Sequence, residues 1–131
     1  MTLHRLQRLQ LLWVVLGLIY NAVSYRQIAS GSSALAPTDP LAGAIFMGLC
    51  GGLIGAGMLG WRRSYRFGIP LLTVLLFYSG LWLHLMACSS DSSLPGYASF
   101  AAWLSAILIN IYGVITLAIG GWLAWQEKAD H

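Results

Sequence analysis

Charge is scarce in this sequence: Asp, Glu, Lys and Arg together make up 8% of its 131 residues. A water-soluble domain carries about 25% charged residues, because polar side chains must cover its surface. With 58% of the residues hydrophobic, too little polar material remains here to face water. These departures exclude an ordinary soluble domain and predict an integral membrane protein.

Cysteines and catalytic signatures are also scarce. The two cysteines, Cys50 and Cys88, are too few for a disulfide framework, and neither belongs to a C-x-x-C motif. The sequence has no phosphate-binding glycine loop, no H-E-x-x-H motif and no nucleophile elbow. Its net charge is +3, but the basic residues form no stripe with interleaved aromatic residues. We therefore expect a non-enzymatic protein without a nucleic-acid partner.

Four long apolar runs make up most of the chain. A helix needs roughly 20 residues to cross the hydrocarbon layer; the first run is slightly shorter, and the other three reach or exceed this length. None of them contains Asp, Glu, Lys or Arg. We predict an all-α, polytopic integral membrane protein with one membrane domain, residues 1–131, in which four transmembrane helices form a bundle. The expected spans are about Leu9–Tyr25, Pro40–Trp61, Gly68–Cys88 and Tyr97–Trp125.

Basic residues indicate the orientation of the spans. Because Lys and Arg favour the cytoplasmic side, both termini are expected in the cytoplasm, and Arg26 alone falls on the other side. The short loops and this charge bias favour a bacterial inner membrane. An aromatic belt is expected at the cytoplasmic surface, formed by Trp13, Trp61, Tyr65, Trp122 and Trp125. The six basic residues on the cytoplasmic side are Arg5, Arg8, Arg62, Arg63, Arg66 and Lys128.

The second run contains seven glycines within AGAIFMGLCGGLIGAGMLGW, residues 42–61. Each glycine in a soluble helix costs roughly 1 kcal/mol relative to alanine. In lipid, however, small residues at every fourth position let two helix backbones approach closely. We predict a close contact with another helix, either of this chain or of a partner. It runs along a small-residue ridge that consists of Ala44, Gly48, Gly52, Ala56 and Gly60.

A few polar side chains interrupt the runs, and His84 is the only histidine among them. An ionisable residue inside a membrane is a functional candidate by default. A hydrogen bond from a neutral imidazole to a neighbouring helix explains His84 with fewer assumptions. The sharper hypothesis is a pathway or binding site for a small solute, a metal or a lipid. Its candidate lining residues, called the polar cluster below, are Tyr20, Asn21, His84 and Asn110.

A metal site at the end of the third run is a weaker hypothesis. His84 and Cys88 are one helical turn apart, and Asp91 lies just beyond the run. Zinc typically takes three or four protein ligands, so all three residues would have to converge. A haem held by two histidines would need the second one from another chain. We therefore expect no bound cofactor.

Three functional hypotheses follow from these features. The leading one is an accessory, assembly or structural subunit that packs through the small-residue ridge against another membrane protein or a second copy. Small size, short loops and spans without formal charge fit this role. The alternative is a carrier or binding protein for a small solute, metal or lipid that uses the polar cluster around His84. An enzyme or haem protein ranks third.

Overall fold

A computed structural model describes residues 1–129, and all regular structure in this part of the chain is helical. Four helical segments are long and apolar enough to cross a membrane, as the sequence predicts. The third of these segments, Arg62–Ser90, runs without interruption through a π-helical turn. The elements in chain order are α1 (Leu3–Ala29), α2 (Pro40–Met58), α3 (Arg62–Leu76), the π turn (Phe77–Trp82), α4 (Leu83–Ser90) and α5 (Phe100–Ala129).

The second helix ends earlier than its apolar run does. α2 stops at Met58, whereas the run continues to Trp61. Gly60 has a φ of +96°, a left-handed conformation that glycine adopts without a steric penalty. Gly60 therefore lies in the turn beyond α2. The prediction that Gly60 belongs to the small-residue ridge of this helix is wrong.

Side-chain caps fix the starts of the first two helices. The Thr2 hydroxyl accepts a hydrogen bond from the Arg5 amide at 3.4 Å. One Asp39 carboxylate oxygen accepts from the amides of Leu41 and Ala42, at 2.8 and 3.3 Å. Pro40 follows as the first helical residue, where a missing N–H is harmless. These contacts hold Asp39 at a fixed place at the start of α2.

Each span packs mainly against two others. α1 packs against α2 and α5, and α3 packs against the same two helices. Residues 1–2 and 59–61 lie at one end, the termini end, where Arg62 and Glu127 pair at 3.6 Å. Residues 30–39 and 91–99 lie at the opposite end, the loop end. There the Ala98 amide donates to the Leu35 carbonyl at 3.4 Å, which ties the two loops together.

Two aromatic residues expected in a belt at the membrane surface lie in the core instead. Trp13 and Tyr65 are both buried among the spans. The Trp13 indole lies against Gly113, and the Tyr65 ring lies against Gly57, so each ring occupies the space that a larger residue would fill. The belt prediction is wrong for these two residues, because hydropathy alone does not say which face of a helix meets its neighbours. Trp122, in contrast, is exposed as the belt requires.

A buried hydrogen-bond chain connects three spans near the termini end. The side-chain amide of Gln10 donates to the Thr116 carbonyl at 2.9 Å. The Tyr65 hydroxyl donates to the Gln10 side-chain oxygen at 2.8 Å. α1, α3 and α5 are thereby joined through one glutamine. Hydrogen bonds of this kind contribute about 0.6–2 kcal/mol each in membrane proteins.

Candidate functional site

A cavity of about 330 Å³ lies between the spans in the half of the molecule near the loop end. All four residues of the polar cluster line it: Tyr20, Asn21, His84 and Asn110. They come from three different spans, so the packing of the helices brings them together. The volume falls at the lower end of the range for small-molecule sites, roughly 300–1,000 Å³.

The π turn forms the wall of the cavity on the third span. Ser79 and Gly80, both within this turn, line the cavity. π-helical turns are rare and occur frequently at functional sites. At Gly80 an added Cβ would lie 2.6 Å from the Asn110 side-chain oxygen, so glycine is what allows the asparagine to approach. The sequence showed no signal for the π turn beyond the presence of this glycine.

The two asparagines use their amide groups in the same way. Nδ2 of Asn21 donates to the Gly17 carbonyl at 2.8 Å, and Nδ2 of Asn110 donates to the Ala106 carbonyl at 2.8 Å. Each bond reaches back one turn within the same helix. No described residue donates to either Oδ1. Both asparagines therefore keep an acceptor at the cavity wall, and Asn21 lies against Gly43, where a larger residue would not fit.

Tyr20 connects the cavity wall to α5. Its hydroxyl donates to the Ala102 carbonyl at 3.0 Å. The ring is half-buried and lines the cavity beside Asn21. The hydroxyl proton is therefore used in a hydrogen bond within the protein, whereas the hydroxyl oxygen can still accept a hydrogen bond.

His84 is buried, with 5% of its surface exposed, and it is held from two sides. Its Nδ1 forms a hydrogen bond of 2.6 Å with the Tyr97 hydroxyl, and its backbone carbonyl accepts from the Trp103 indole at 2.8 Å. Burial raises the pKa of the Tyr97 phenol above its ordinary value, so this hydroxyl stays protonated. No described residue forms a hydrogen bond with Nε2, so this nitrogen is available for one at the cavity wall.

Thr38 and Asp39 form the rim of the cavity at the loop end. Asp39 is the only formally charged residue among those that line it, and no Lys or Arg takes part. This position of Asp39 could not be predicted from the sequence, because it depends on how the start of α2 packs against the other spans. The rest of the wall is mostly apolar and includes Phe46, Met47 and Ile109.

The metal hypothesis has no support in the structure. Across residues 1–129 no group of three His, Cys, Asp or Glu side chains could hold a metal ion. His84 is buried and bonded to Tyr97, whereas Asp91 is exposed. Hydrogen bonds from the Ser93 side chain and backbone hold the pKa of the Asp91 carboxyl below its ordinary value. Cys88 remains a half-buried free thiol, so the three do not converge.

The small-residue ridge faces away from the other spans. An added Cβ at Gly48 or Gly52 on the ridge, or at Gly55 beside it, would meet no atom of the described chain within 4 Å. The α2 glycines that do approach a neighbour are others, such as Gly51, whose Cβ position lies 3.3 Å from Val14. Ala44 and Ala56 are partly buried. The ridge is therefore free for a contact outside this chain.

A smaller pocket of about 180 Å³ lies at the termini end. It is lined by Arg62, Arg66 and Glu127, among others. The Arg66 guanidinium donates to the Ala124 carbonyl at 3.1 Å and lies 5.3 Å from the centre of the Trp125 ring. Arg62 pairs with Glu127. These charges are engaged within the chain and mainly join α3 to α5.

No protein-family model, curated protein or solved structure matches this chain. The functional conclusion therefore depends on the geometry and chemistry of the residues described above.

Proposed function

We propose that this chain is an integral membrane protein that binds a small, largely apolar molecule in the cavity at the polar cluster. The observation that carries the proposal is the convergence of Tyr20, Asn21, His84 and Asn110 on one cavity of about 330 Å³. Polar side chains inside a membrane are expensive, and those with a function face a cavity or a partner helix. Here they face a cavity.

The unused hydrogen-bonding capacity of the wall supports binding over simple packing. A polar residue that only joins helices satisfies its groups within the protein, as Gln10 does with Thr116 and Tyr65. Asn21 and Asn110 leave their side-chain oxygens without a donor among the described residues, and His84 leaves Nε2. A ligand between apolar walls that satisfies these atoms would be both oriented and retained.

The four spans are proposed to form a bundle in a bacterial inner membrane, with the termini end in the cytoplasm. Six of the seven Lys and Arg residues belong to that end, which supports this orientation through the preference of basic residues for the cytoplasmic side. The cavity then lies in the outer half of the bilayer, and its rim at Asp39 faces the outside.

A larger side chain that fills the cavity tests whether the cavity binds a ligand. Ala42 lines the cavity near its rim and is exposed, so a phenylalanine side chain can enter the space without displacing the core. We expect Ala42→Phe to lower the affinity for cavity ligands at least about thirtyfold, because the phenylalanine ring occupies volume that the ligand needs. Saturation-transfer NMR of the detergent-purified protein with a library of apolar fragments measures this.

Ala101→Phe is the matched control, because Ala101 is exposed on α5 and does not line the cavity. Fragments that bind the wild type and Ala101→Phe but not Ala42→Phe would support the proposal. If no fragment distinguishes Ala42→Phe from Ala101→Phe, the cavity is not a binding site.

A second function is favoured by the outward ridge. We propose that a transmembrane helix of a larger membrane protein packs along Gly48, Gly52 and Gly55, which makes this chain an accessory subunit as well as a binding protein. The support is the open space over these three glycines, because close backbone approach is what drives helix association in lipid. Leucines such as Leu49 on the adjoining surface are exposed, as a membrane helix requires.

Gly52→Leu is expected to abolish co-purification of such a partner in mild detergent while the chain itself stays folded. The added side chain projects from α2 by several ångströms and prevents backbone approach. Leu49→Ile, which keeps a residue of the same volume on an exposed position, is the control. Equal yields of the partner with both variants would contradict the ridge proposal, and recovery of a second copy alone would assign the ridge to a homo-oligomer.

A further inference from the structure

The hydrogen-bonding side chains around the cavity keep unused groups of both kinds, acceptors and donors. Tyr20 donates its hydroxyl proton to Ala102, and Ser79 donates its own to the Leu75 carbonyl at 2.6 Å. Asn21 and Asn110 each commit one N–H to a backbone carbonyl. The oxygens of all four side chains keep the capacity to accept. Each asparagine also keeps its second N–H, so the inner wall offers neutral donors as well as acceptors.

The formal charge of the lining has one sign. Asp39 is the only charged residue on the wall, and it lies at the rim. One of its oxygens caps α2 through Leu41 and Ala42, which fixes the carboxylate in place. No Lys or Arg lines the cavity to balance it. A ligand with a positive charge is therefore favoured at this end, and an anion is disfavoured.

From the single negative charge at the rim we infer the ligand class: a small protonated amine on an apolar body, with its ammonium group at the Asp39 carboxylate and its body inside the cavity. An ammonium group carries a positive charge and only donors, which complements the carboxylate. The apolar body fits Phe46 and Met47 on the facing surface. A volume of about 330 Å³ suits a small free amine better than a whole phospholipid. This inference rests on the proposed binding function and specifies its ligand.

Three compounds of one shape test the charge preference: phenethylamine, phenethyl alcohol and phenylacetate. Isothermal titration with the purified protein at pH 7 is expected to show phenethylamine binding about tenfold more tightly than phenethyl alcohol, because charge-assisted hydrogen bonds are stronger. Phenylacetate is expected to bind most weakly. If nanodiscs rich in phosphatidylethanolamine compete with phenethylamine and nanodiscs of phosphatidylcholine do not, the ammonium group that the site binds belongs to a lipid headgroup.

Asp39→Asn separates charge from structure, because asparagine is as good a helix cap as aspartate. We expect this variant to keep its affinity for phenethyl alcohol and to lose most of the preference for phenethylamine, about fivefold. Asp91→Asn is the control: Asp91 is an exposed carboxylate at the same end and does not line the cavity. It should leave the preference unchanged.

Two failures of the experiment have different meanings. If phenethyl alcohol or phenylacetate binds as tightly as phenethylamine, and Ala42→Phe still removes binding, the amine inference is wrong while the cavity remains a binding site. If Asp91→Asn lowers the preference as much as Asp39→Asn does, the preference comes from the surface charge of the loop end, and the inference is equally overturned. Absence of phenethylamine binding at millimolar concentration also overturns it. Whether the cavity binds any ligand is then decided by the experiment with the fragment library.

Discussion

Replacing Gly113 with leucine is expected to destabilise the packed arrangement of the spans strongly. Gly113 is buried on α5, where the Trp13 indole from α1 and Leu76 from α3 both approach it closely. A leucine side chain has no free volume there, so α1 or α3 must move away from α5. Overpacking typically costs 1–3 kcal/mol, and here we expect about 3 kcal/mol or more because two spans are displaced.

The measurement is unfolding by increasing SDS in mixed micelles, followed by circular dichroism and tryptophan fluorescence. Gly52→Leu is the control, since Gly52 faces open space and its substitution should change the free energy of unfolding by less than about 0.5 kcal/mol. Similar losses for both variants would contradict the assignment of inward and outward glycines.

Trp13→Ala is expected to have the second largest effect on stability. The indole is buried between α1 and α5, so its removal leaves a large hole. In water-soluble proteins Trp→Ala costs about 3–5 kcal/mol. In lipid the loss is mainly of packing contacts, because the hydrocarbon outside is as apolar as the core, and we expect about 2–4 kcal/mol.

Trp122→Ala provides the matched control for the same SDS titration. Trp122 is 60% exposed, and its removal is expected to change the free energy of unfolding by about 0.5 kcal/mol or less. If Trp13 and Trp122 showed the reverse order, Trp13 would belong to the membrane surface, as the aromatic-belt interpretation holds. The double variant Trp13→Ala/Gly113→Leu should lose less stability than the two single variants lose together, since the leucine enters the space that the indole leaves.

The four apolar helices could be predicted from the sequence because hydropathy and length are properties of each segment alone. Spans of about 20 apolar residues without formal charge have few alternatives to helices in lipid. The positions of Tyr20, Asn21, His84 and Asn110 were also readable, since polar groups stand out against an apolar background. That they line one cavity depends on how the helices rotate against each other, which no single segment encodes.

The contacts of the glycines could not be predicted for the same reason. Spacing alone indicates that Gly48 and Gly52 share a face of α2, but the neighbouring spans decide whether that face points inward. The inward glycines, such as Gly17, Gly57 and Gly113, lie outside the regular spacing and each receives a large side chain. Gly60 is glycine because of its backbone conformation in the turn.

The role of Gln10 was missed although a signal was present. Gln10 lies inside the first predicted span, Leu9–Tyr25, and an amide there is as conspicuous as that of Asn21. Its partners, Tyr65 and Thr116, are 55 and 106 residues away along the chain, so pairing them needed the three-dimensional structure. The contact of His84 with Tyr97 had the same limitation, because Tyr97 lies in a loop that folds back towards the spans.

The central claim is that the polar cluster surrounds an open cavity within the membrane, and cysteine labelling tests it most directly. Ala106 lines the cavity, whereas Leu108 is 57% exposed on the outer surface of the same helix, about 3 Å different in depth. In a chain whose Cys50 and Cys88 are replaced by alanine, Ala106→Cys and Leu108→Cys are treated in membranes with a small, charged methanethiosulfonate. Because this reagent reacts with thiolates in water, we predict that Ala106→Cys is modified and Leu108→Cys is not. Modification of Leu108→Cys alone, or of both at equal rates, would contradict the cavity.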